Sequence, residues 1–277
     1  GGVMDKRELL QSMKLFLFDM DGTLYLGDRL YSFTIELLQT IRQKGGKYLF
    51  MTNNSSKSVE DYIKKLHKLG IESTREDFIT SSQATAYYLH KHHEGQRLYV
   101  CGTESLKAEL RREGFYVTDK IDEVDCIVMG FDTELTFQKL HDVSYLLLTR
   151  PEIPYIATNP DLVCPTEFGS VPDCGSVCDM IFNATGKRPL VIGKPEPLMP
   201  QLAMEHTGYG PHETAVIGDR IYTDVATARN AGSLGVLVLS GETTLETAIN
   251  SDPQPAITAL NIEEFGRLLL KSKGIEY

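Results

Sequence analysis

Two carboxylates stand two residues apart in the string Asp19-Met20-Asp21-Gly22-Thr23, directly after an apolar run at 14–18. Such a pair suits two distinct tasks. Asp19 can attack an electrophile such as phosphorus. Asp21 can protonate a leaving oxygen and then take a proton from an attacking water. Gly22 permits a tight exit from the preceding run. Alone the motif says little, because acidic pairs are common in solvated turns.

Three further places share its setting, each at the end of an apolar run. Thr52-Asn53-Asn54-Ser55-Ser56 follows 47–51; its hydroxyls, amides and successive backbone N–H groups suit the non-bridging oxygens of a phosphate. The same residue types also make an ordinary helix cap. Gly193-Lys194-Pro195 follows 190–192. A lysine there is costly unless it meets an anion, and it could neutralise both Asp19 and a phosphate; the plain alternative is a surface lysine in a Gly/Pro turn. Gly218-Asp219-Arg220-Ile221-Tyr222-Thr223-Asp224 follows 215–217. Hard oxygen ligands of this kind suit Mg²⁺: Asp219 would bind the ion with Asp19, with Asp224 beside or behind them. Asp224 could equally be an acid favoured by a helix N-terminus. Each plain alternative is reasonable singly. Four such sites in order, each after an apolar strand, make the joint case, because ligands of doubly wound α/β folds bind beyond the carboxyl ends of strands.

The elements needed to position these residues are legible in the apolar periodicity. Strands are expected at 14–18, 47–51, 97–101, 125–129, 154–157, 190–193, 214–218 and 234–239. Helices are expected at 31–44, 61–69, 104–113, 137–149 and 176–185. In the first of these Tyr31, Ile35, Leu38 and Ile41 share a face, and Gly45-Gly46 ends it. This alternation predicts an α/β fold with a doubly wound parallel sheet and helical crossovers.

Composition narrows the class. In a chain of 277 residues, 42% are hydrophobic and 24% charged, so a packed core is expected. The net charge of -10, from 38 acidic and 28 basic residues, argues against nucleic-acid or anionic-membrane partners. Gly1–Val3 before Met4 reads as an expression scar, and the charged Asp5, Lys6, Arg7 and Glu8 leave no room for a signal core. No run approaches the ~20 apolar residues of a membrane helix. Five scattered cysteines suggest a reducing, cytoplasmic setting rather than a disulfide framework. Cys174 and Cys178 lack the histidines of a zinc site, and His90, His92 and His93 read as solvated groups ending a helix. P-loop, HExxH and GxSxG patterns are absent.

With these residues in place, the four strings resemble, in order, the motifs of the haloacid dehalogenase superfamily. The longer strings around Thr52, Gly193-Lys194-Pro195-Glu196-Pro197 and Gly218–Asp224 are similar to the class IIA capped subgroup, the NagD-like and 4-nitrophenylphosphatase-like sugar phosphatases. The resemblance spans about 15–239. It implies a Rossmann-like core at 1–80 and 187–277 with an inserted α/β cap at 81–186. It implies Asp19 as nucleophile and Asp21 as acid/base. Mg²⁺ would be bound by Asp19, the Asp21 carbonyl and Asp219, near Asp224, and phosphate would be held by Thr52, Asn53 and Lys194 beside Asn54. Val128–Asp132, Ala157–Asp161 and Pro165–Glu167 are similar to cap strings, and 159–164 would face the active site. Cys164 falls where some relatives contact substrate, although unpaired cysteine is by type buried and inert.

The expected partner is a small phosphorylated metabolite, a sugar phosphate, nucleotide or aryl phosphate, and the likeness suggests a cap-mediated homodimer. Asp21 favours phosphatase chemistry via an aspartyl-phosphate. A phosphomutase remains open. So does a non-enzymatic receiver-like module, against which Asp21 and the inserted cap speak.

Overall fold

The computed structural model describes residues 5–275; Gly1–Val3 lie outside that range. The chain divides into two units. One takes the chain up to Thr52, Ile63–Ile79 and everything from Lys194 onward; the other takes Asn53–Tyr62 and Thr80–Gly193. Asn53–Tyr62 belongs with the second unit, although the sequence reading puts it in the core range 1–80.

A six-stranded sheet organises the first unit, in the order Ile257–Ala259, Leu234–Val238, Thr214–Gly218, Leu15–Phe18, Lys47–Thr52, Phe78–Thr80. Its strands are near-continuous apolar runs, as a parallel sheet covered on both faces requires. Leu15–Phe18 lies at the centre, parallel to both neighbours, with Phe18 in register with Ile217 and Phe50. From this strand the chain first builds outward to Lys47–Thr52 and later, on the other side, to Thr214–Gly218. That reversal is the crevice in which doubly wound sheets bind ligands.

Helix Ile262–Ser272 contacts Thr34–Gln43 and Lys6–Gln11. Its Ile262, Phe265, Leu269 and Leu270 form a buried helical stripe, and Asn261 caps its start by accepting from the Glu264 N–H at 2.9 Å.

The second unit holds a four-stranded parallel sheet in the order Leu190–Val191, Tyr155–Ala157, Cys126–Met129, Leu98–Cys101. Val143, Leu146 and Leu147 of helix Phe137–Thr149 share one core with Val177, Cys178 and Ile181 of helix Cys174–Thr185. An antiparallel hairpin pairs Val163–Thr166 with Gly169–Pro172.

Three expected helices begin elsewhere, and that expected at 61–69 runs Val59–Lys68. The helix expected at 31–44 runs Thr34–Gln43, because Phe33 takes a left-handed φ of 77° immediately before it. Tyr31 therefore lies off the helix, and the face that buries is Leu37, Leu38 and Ile41. The helix expected at 176–185 starts at Cys174, where Asp173 caps it. Elements that were not anticipated include the hairpin at Val163–Pro172, a second hairpin pairing Tyr25–Leu26 with Arg29–Leu30, strand Ile257–Ala259, helix Leu198–Thr207 and, despite its apolar stripe, helix Ile262–Ser272.

Leu17, fully buried in the central strand two residues before Asp19, tests the sheet's hold on the site. Leu17→Ala is expected to cost about 2–5 kcal/mol, read as a lowered urea midpoint.

Candidate active site

Asp19 extends the central strand by one hydrogen bond, its N–H donating to Ile217 O at 2.9 Å. Asp219 follows the adjacent strand Thr214–Gly218 directly, so neighbouring strand ends bring two acids together across 200 residues of sequence. Asp224 arrives by a widened turn. Ile221–Val225 is a π-helical turn, with Val225 N–H donating to Arg220 O at 3.2 Å, before the regular helix Ala226–Asn230. Single π turns inside helices recur at functional sites. This one lets the Asp224 carboxylate accept from the Arg220 N–H at 3.2 Å.

Lys194 sits among these acids. Its Nζ lies 2.6 Å from Asp224 Oδ1 and 3.5 Å from Asp19 Oδ1, and it donates to Met51 O at 3.2 Å. The Lys194 side chain is 3% exposed, that of Asp224 1% and that of Asp19 13%. Lysine thus grips Asp224 more closely than Asp19, the partner expected from sequence. One oxygen from each of Asp19, Asp219 and Asp224 lies within 4.8 Å of the others, the one such cluster of potential metal ligands among the described residues.

The electrostatics follow from burial. Desolvation pushes the Asp19 carboxyl up to about 7; Lys194 opposes this and Asp219 adds to it. Burial likewise raises Asp224 to about 6, aided by Asp19 and opposed by Lys194. Asp219 is raised by burial and by Asp224. A buried acid cluster with too little positive charge either keeps protons or takes up a cation. Three convergent carboxylates are the hard-oxygen donor set that a divalent ion of the Mg²⁺ or Ca²⁺ kind prefers.

Asp21 is placed differently. Its side chain is 59% exposed, with Lys65 Nζ at 3.8 Å; Lys65 is itself held 4.5 Å over the Tyr25 ring. An exposed pair of this kind contributes at most about 1 kcal/mol, and the carboxylate stays in reach of water for proton exchange.

Thr52 is buried at the end of its strand. Asn53, Asn54 and Cys164 belong to the second unit. There Asn53 Nδ2 donates to Asp161 Oδ2 at 2.9 Å, and Asn159 Nδ2 donates to Asp161 at 2.7 Å and to Asp173 at 3.1 Å. Thr158 Oγ1 donates to Ser55 Oγ at 2.8 Å. This buried network fixes the loop after Asn53 against the Thr158–Asp161 stretch. Asn54 Oδ1 is engaged by the Ser56 N–H and hydroxyl. Cys164 is partly buried on the hairpin strand Val163–Thr166.

Sequence reasoning missed several residues around Asp219. Thr23 donates to its Oδ1 at 3.2 Å, and the Glu242 N–H donates to its Oδ2 at 2.9 Å. Arg220 pairs with Glu242 at 2.9 Å. A signal for the second group was present: Ser240-Gly241-Glu242-Thr243 is a polar turn after an apolar strand, the criterion that identified the other four sites.

Comparisons with known proteins find relatives over most of the chain. A haloacid dehalogenase-like hydrolase family model matches residues 16–116, and a related HAD-hydrolase-like model matches 191–265. The acid sugar phosphatase of Staphylococcus aureus is 32% identical over 255 residues, covering 92% of this chain and 97% of its own. The crystal structure of a 4-nitrophenylphosphatase from Thermotoga maritima matches with a TM-score of 0.89 at 37% identity, covering 94% of this chain and 98% of that one. The glycerol phosphate phosphatase of Mycobacterium tuberculosis in complex with magnesium matches with a TM-score of 0.85 at 29% identity, over 94% of this chain and 78% of that one. Carrying the motif residues on adjacent strand ends of a doubly wound sheet, the chain belongs to the haloacid dehalogenase-like hydrolases, in the class IIA group that includes the NagD-like and 4-nitrophenylphosphatase-like proteins.

Proposed function

We propose that the protein is a Mg²⁺-dependent phosphatase that hydrolyses small phosphate monoesters through a phosphoryl group carried on Asp19. The observation that carries this reading is the convergence of Asp19, Asp219 and Asp224 around Lys194 at the switch point of the sheet. The sugar, nitrophenyl and glycerol phosphatases among its relatives support a small phosphorylated metabolite as substrate.

Asp19 attacks phosphorus and the bond to the leaving oxygen breaks, with Asp21 giving that oxygen its proton. Asp21, now a carboxylate, takes a proton from water as the water oxygen attacks the phosphoryl group. The Asp19–phosphorus bond breaks, and phosphate and free Asp19 result. Lys194 holds positive charge beside Asp19 throughout, oriented by Asp224 and Met51 O. Thr52, at the end of the neighbouring strand, offers a hydroxyl for phosphate. A divalent cation held by Asp19, Asp219 and the Asp21 carbonyl, next to Asp224, would offset the negative charge of the transferring group. The magnesium complex of the M. tuberculosis relative supports Mg²⁺, and that protein also has a calcium complex. Five free cysteines suit a reducing cytoplasm, and among the described residues no helix is long and apolar enough to cross a membrane.

Asp19→Asn is expected to lower kcat on p-nitrophenyl phosphate by more than about a thousandfold, with the circular dichroism spectrum unchanged; turnover near that of wild type would overturn the nucleophile assignment. Chelation by EDTA is expected to abolish wild-type turnover and added Mg²⁺ to restore it. Retention of a single stoichiometric phosphoryl group without turnover would favour a receiver-like module instead.

Metal-free stability should depend on pH in a defined direction. Asp19 at about 7 and Asp224 at about 6 lie above the unfolded value of about 4. For an acid raised on folding, the stabilisation is fully present below the unfolded value and is lost as pH rises through the folded one. In EDTA the melting temperature should therefore fall between pH 4 and pH 8 more steeply in wild type than in Asp19→Asn/Asp224→Asn. Mg²⁺ should restore more stability at pH 8 than at pH 5. Identical slopes in the two proteins would refute this account.

A further inference from the structure

We infer that the loop 240–243 is a strap that fixes the Asp219 carboxylate before a cation arrives, and that the Arg220–Glu242 ion pair is its latch. The inference rests on the reading above, that Asp219 ligates a divalent cation. Several contacts made by one short loop support it. The Glu242 N–H donates to Asp219 Oδ2 at 2.9 Å, and the Thr243 N–H donates to the Asp219 main-chain carbonyl at 3.2 Å. Side chain and backbone of one acid are thus gripped by consecutive amides. Upstream, Ser240 Oγ donates to Gly22 O at 2.7 Å, while Ser240 O accepts from the Tyr31 hydroxyl at 2.8 Å. The loop therefore joins the turn after Asp21 to the acid after the neighbouring strand.

Two glycines make this possible. A Cβ on Gly241 would lie 2.1 Å from Asp219 Oδ2, and one on Gly22, whose φ is +80°, would lie 2.5 Å from the same oxygen. The carboxylate is sandwiched between two backbones with no space for a methyl group on either side. Thr23 Oγ1 closes the other oxygen at 3.2 Å. Rotation of the Asp219 carboxylate is blocked by these contacts, so the ligand pays little of its ordering cost when the ion binds.

The latch lies at the outer edge. Arg220 Nε meets Glu242 Oε2 at 2.9 Å, with side chains 22% and 45% exposed. Arg220 directly follows Asp219, and Glu242 supplies the amide that holds the Asp219 carboxylate. Closing this ion pair therefore draws that amide onto the ligand. Arg220, Ser240, Gly241 and Glu242 act through Asp219 and are positioning residues.

The direction of effect separates a latch from a simple field. Arg220 is a cation near the acid cluster and favours the charged forms of Asp19, Asp219 and Asp224. Above about pH 8, where the acids are already ionised and the titration is run, charge alone would make removal of Arg220 tighten Mg²⁺ binding and removal of the Glu242 carboxylate weaken it. A latch requires both removals to weaken binding.

The test is calorimetric titration of Mg²⁺ into EDTA-stripped protein, with the melting temperature in EDTA recorded for each variant. Arg220→Gln and Glu242→Gln are each expected to weaken Mg²⁺ binding by about two- to fivefold, and the double variant by no more than the weaker-binding single variant. Gly241→Ala should weaken it by about tenfold or more; should that variant fail to fold, the ion-pair cycle alone decides. At saturating Mg²⁺, KM for p-nitrophenyl phosphate should stay within about twofold of wild type in the ion-pair variants, because the strap acts through Asp219. Tighter binding by Arg220→Gln, additive effects in the double variant, or unchanged binding in a folded Gly241→Ala would each overturn the strap. A wild type that takes up no Mg²⁺ would instead overturn the metal reading on which it rests.

Discussion

Three carboxylates drawn to within 4.8 Å of one another beneath the surface are the constraint on which the first unit depends. Like charges in such a place repel and lose their hydration. Lys194 relieves part of this, and for that reason it is itself nearly inaccessible, an unusual condition for lysine. The remaining imbalance shows as raised carboxyl values at Asp19 and Asp224. Ionised and metal-free, this cluster costs the fold stability. Its retention makes sense as preorganised charge, ready for a cation and a phosphoryl group.

The sheet makes the cluster unavoidable rather than accidental. Parallel pairing of Leu15–Phe18 with Thr214–Gly218, with Phe18 opposite Ile217, fixes Asp19 and Asp219 at adjacent strand ends. Parallel strands end on the same side, so acids far apart in sequence converge without any long-range side-chain contact to guide them. What the strands leave free, the local backbone settles. A π turn returns Asp224 toward Lys194, and the amides of Glu242 and Thr243 orient Asp219. Strand register sets position to within a residue; loops set the angle of each carboxylate.

The sequence was legible where a residue type and an apolar strand coincided. Asp19, Lys194, Asp219 and Asp224 were readable because a charged residue after an apolar run needs a reason, and their convergence followed from the α/β alternation. Three kinds of feature were not legible. The start of the helix Thr34–Gln43 depends on the left-handed backbone at Phe33, a conformation that residue type does not announce. The preference of Lys194 for Asp224 over Asp19 depends on a π turn, which has no apolar period of its own. The loop 240–243 is signalled as a polar turn after an apolar strand, but its contacts are not, because they are made by main-chain amides and every residue except proline has one. Side-chain chemistry can be read from a string, whereas backbone chemistry becomes visible only once the fold has pointed it somewhere.

The two acids of the first motif illustrate how environment divides labour. Asp19 and Asp21 are the same residue type, two positions apart. Asp19 lies at the buried strand end between Lys194 and Asp219, whereas Asp21 has passed the edge and is mostly in water beside Lys65. In the proposed reaction the nucleophile must be fixed, desolvated and paired with positive charge that stays beside it. A group that gives a proton in one step and takes one in the next must instead exchange with solvent between them. Gly22, at a φ of +80°, turns the chain directly after Asp21 and packs against the Asp219 carboxylate. In the proposed reaction that turn would serve both the exposure of Asp21 as acid/base and the orientation of Asp219 as metal ligand, which leaves little freedom for its sequence.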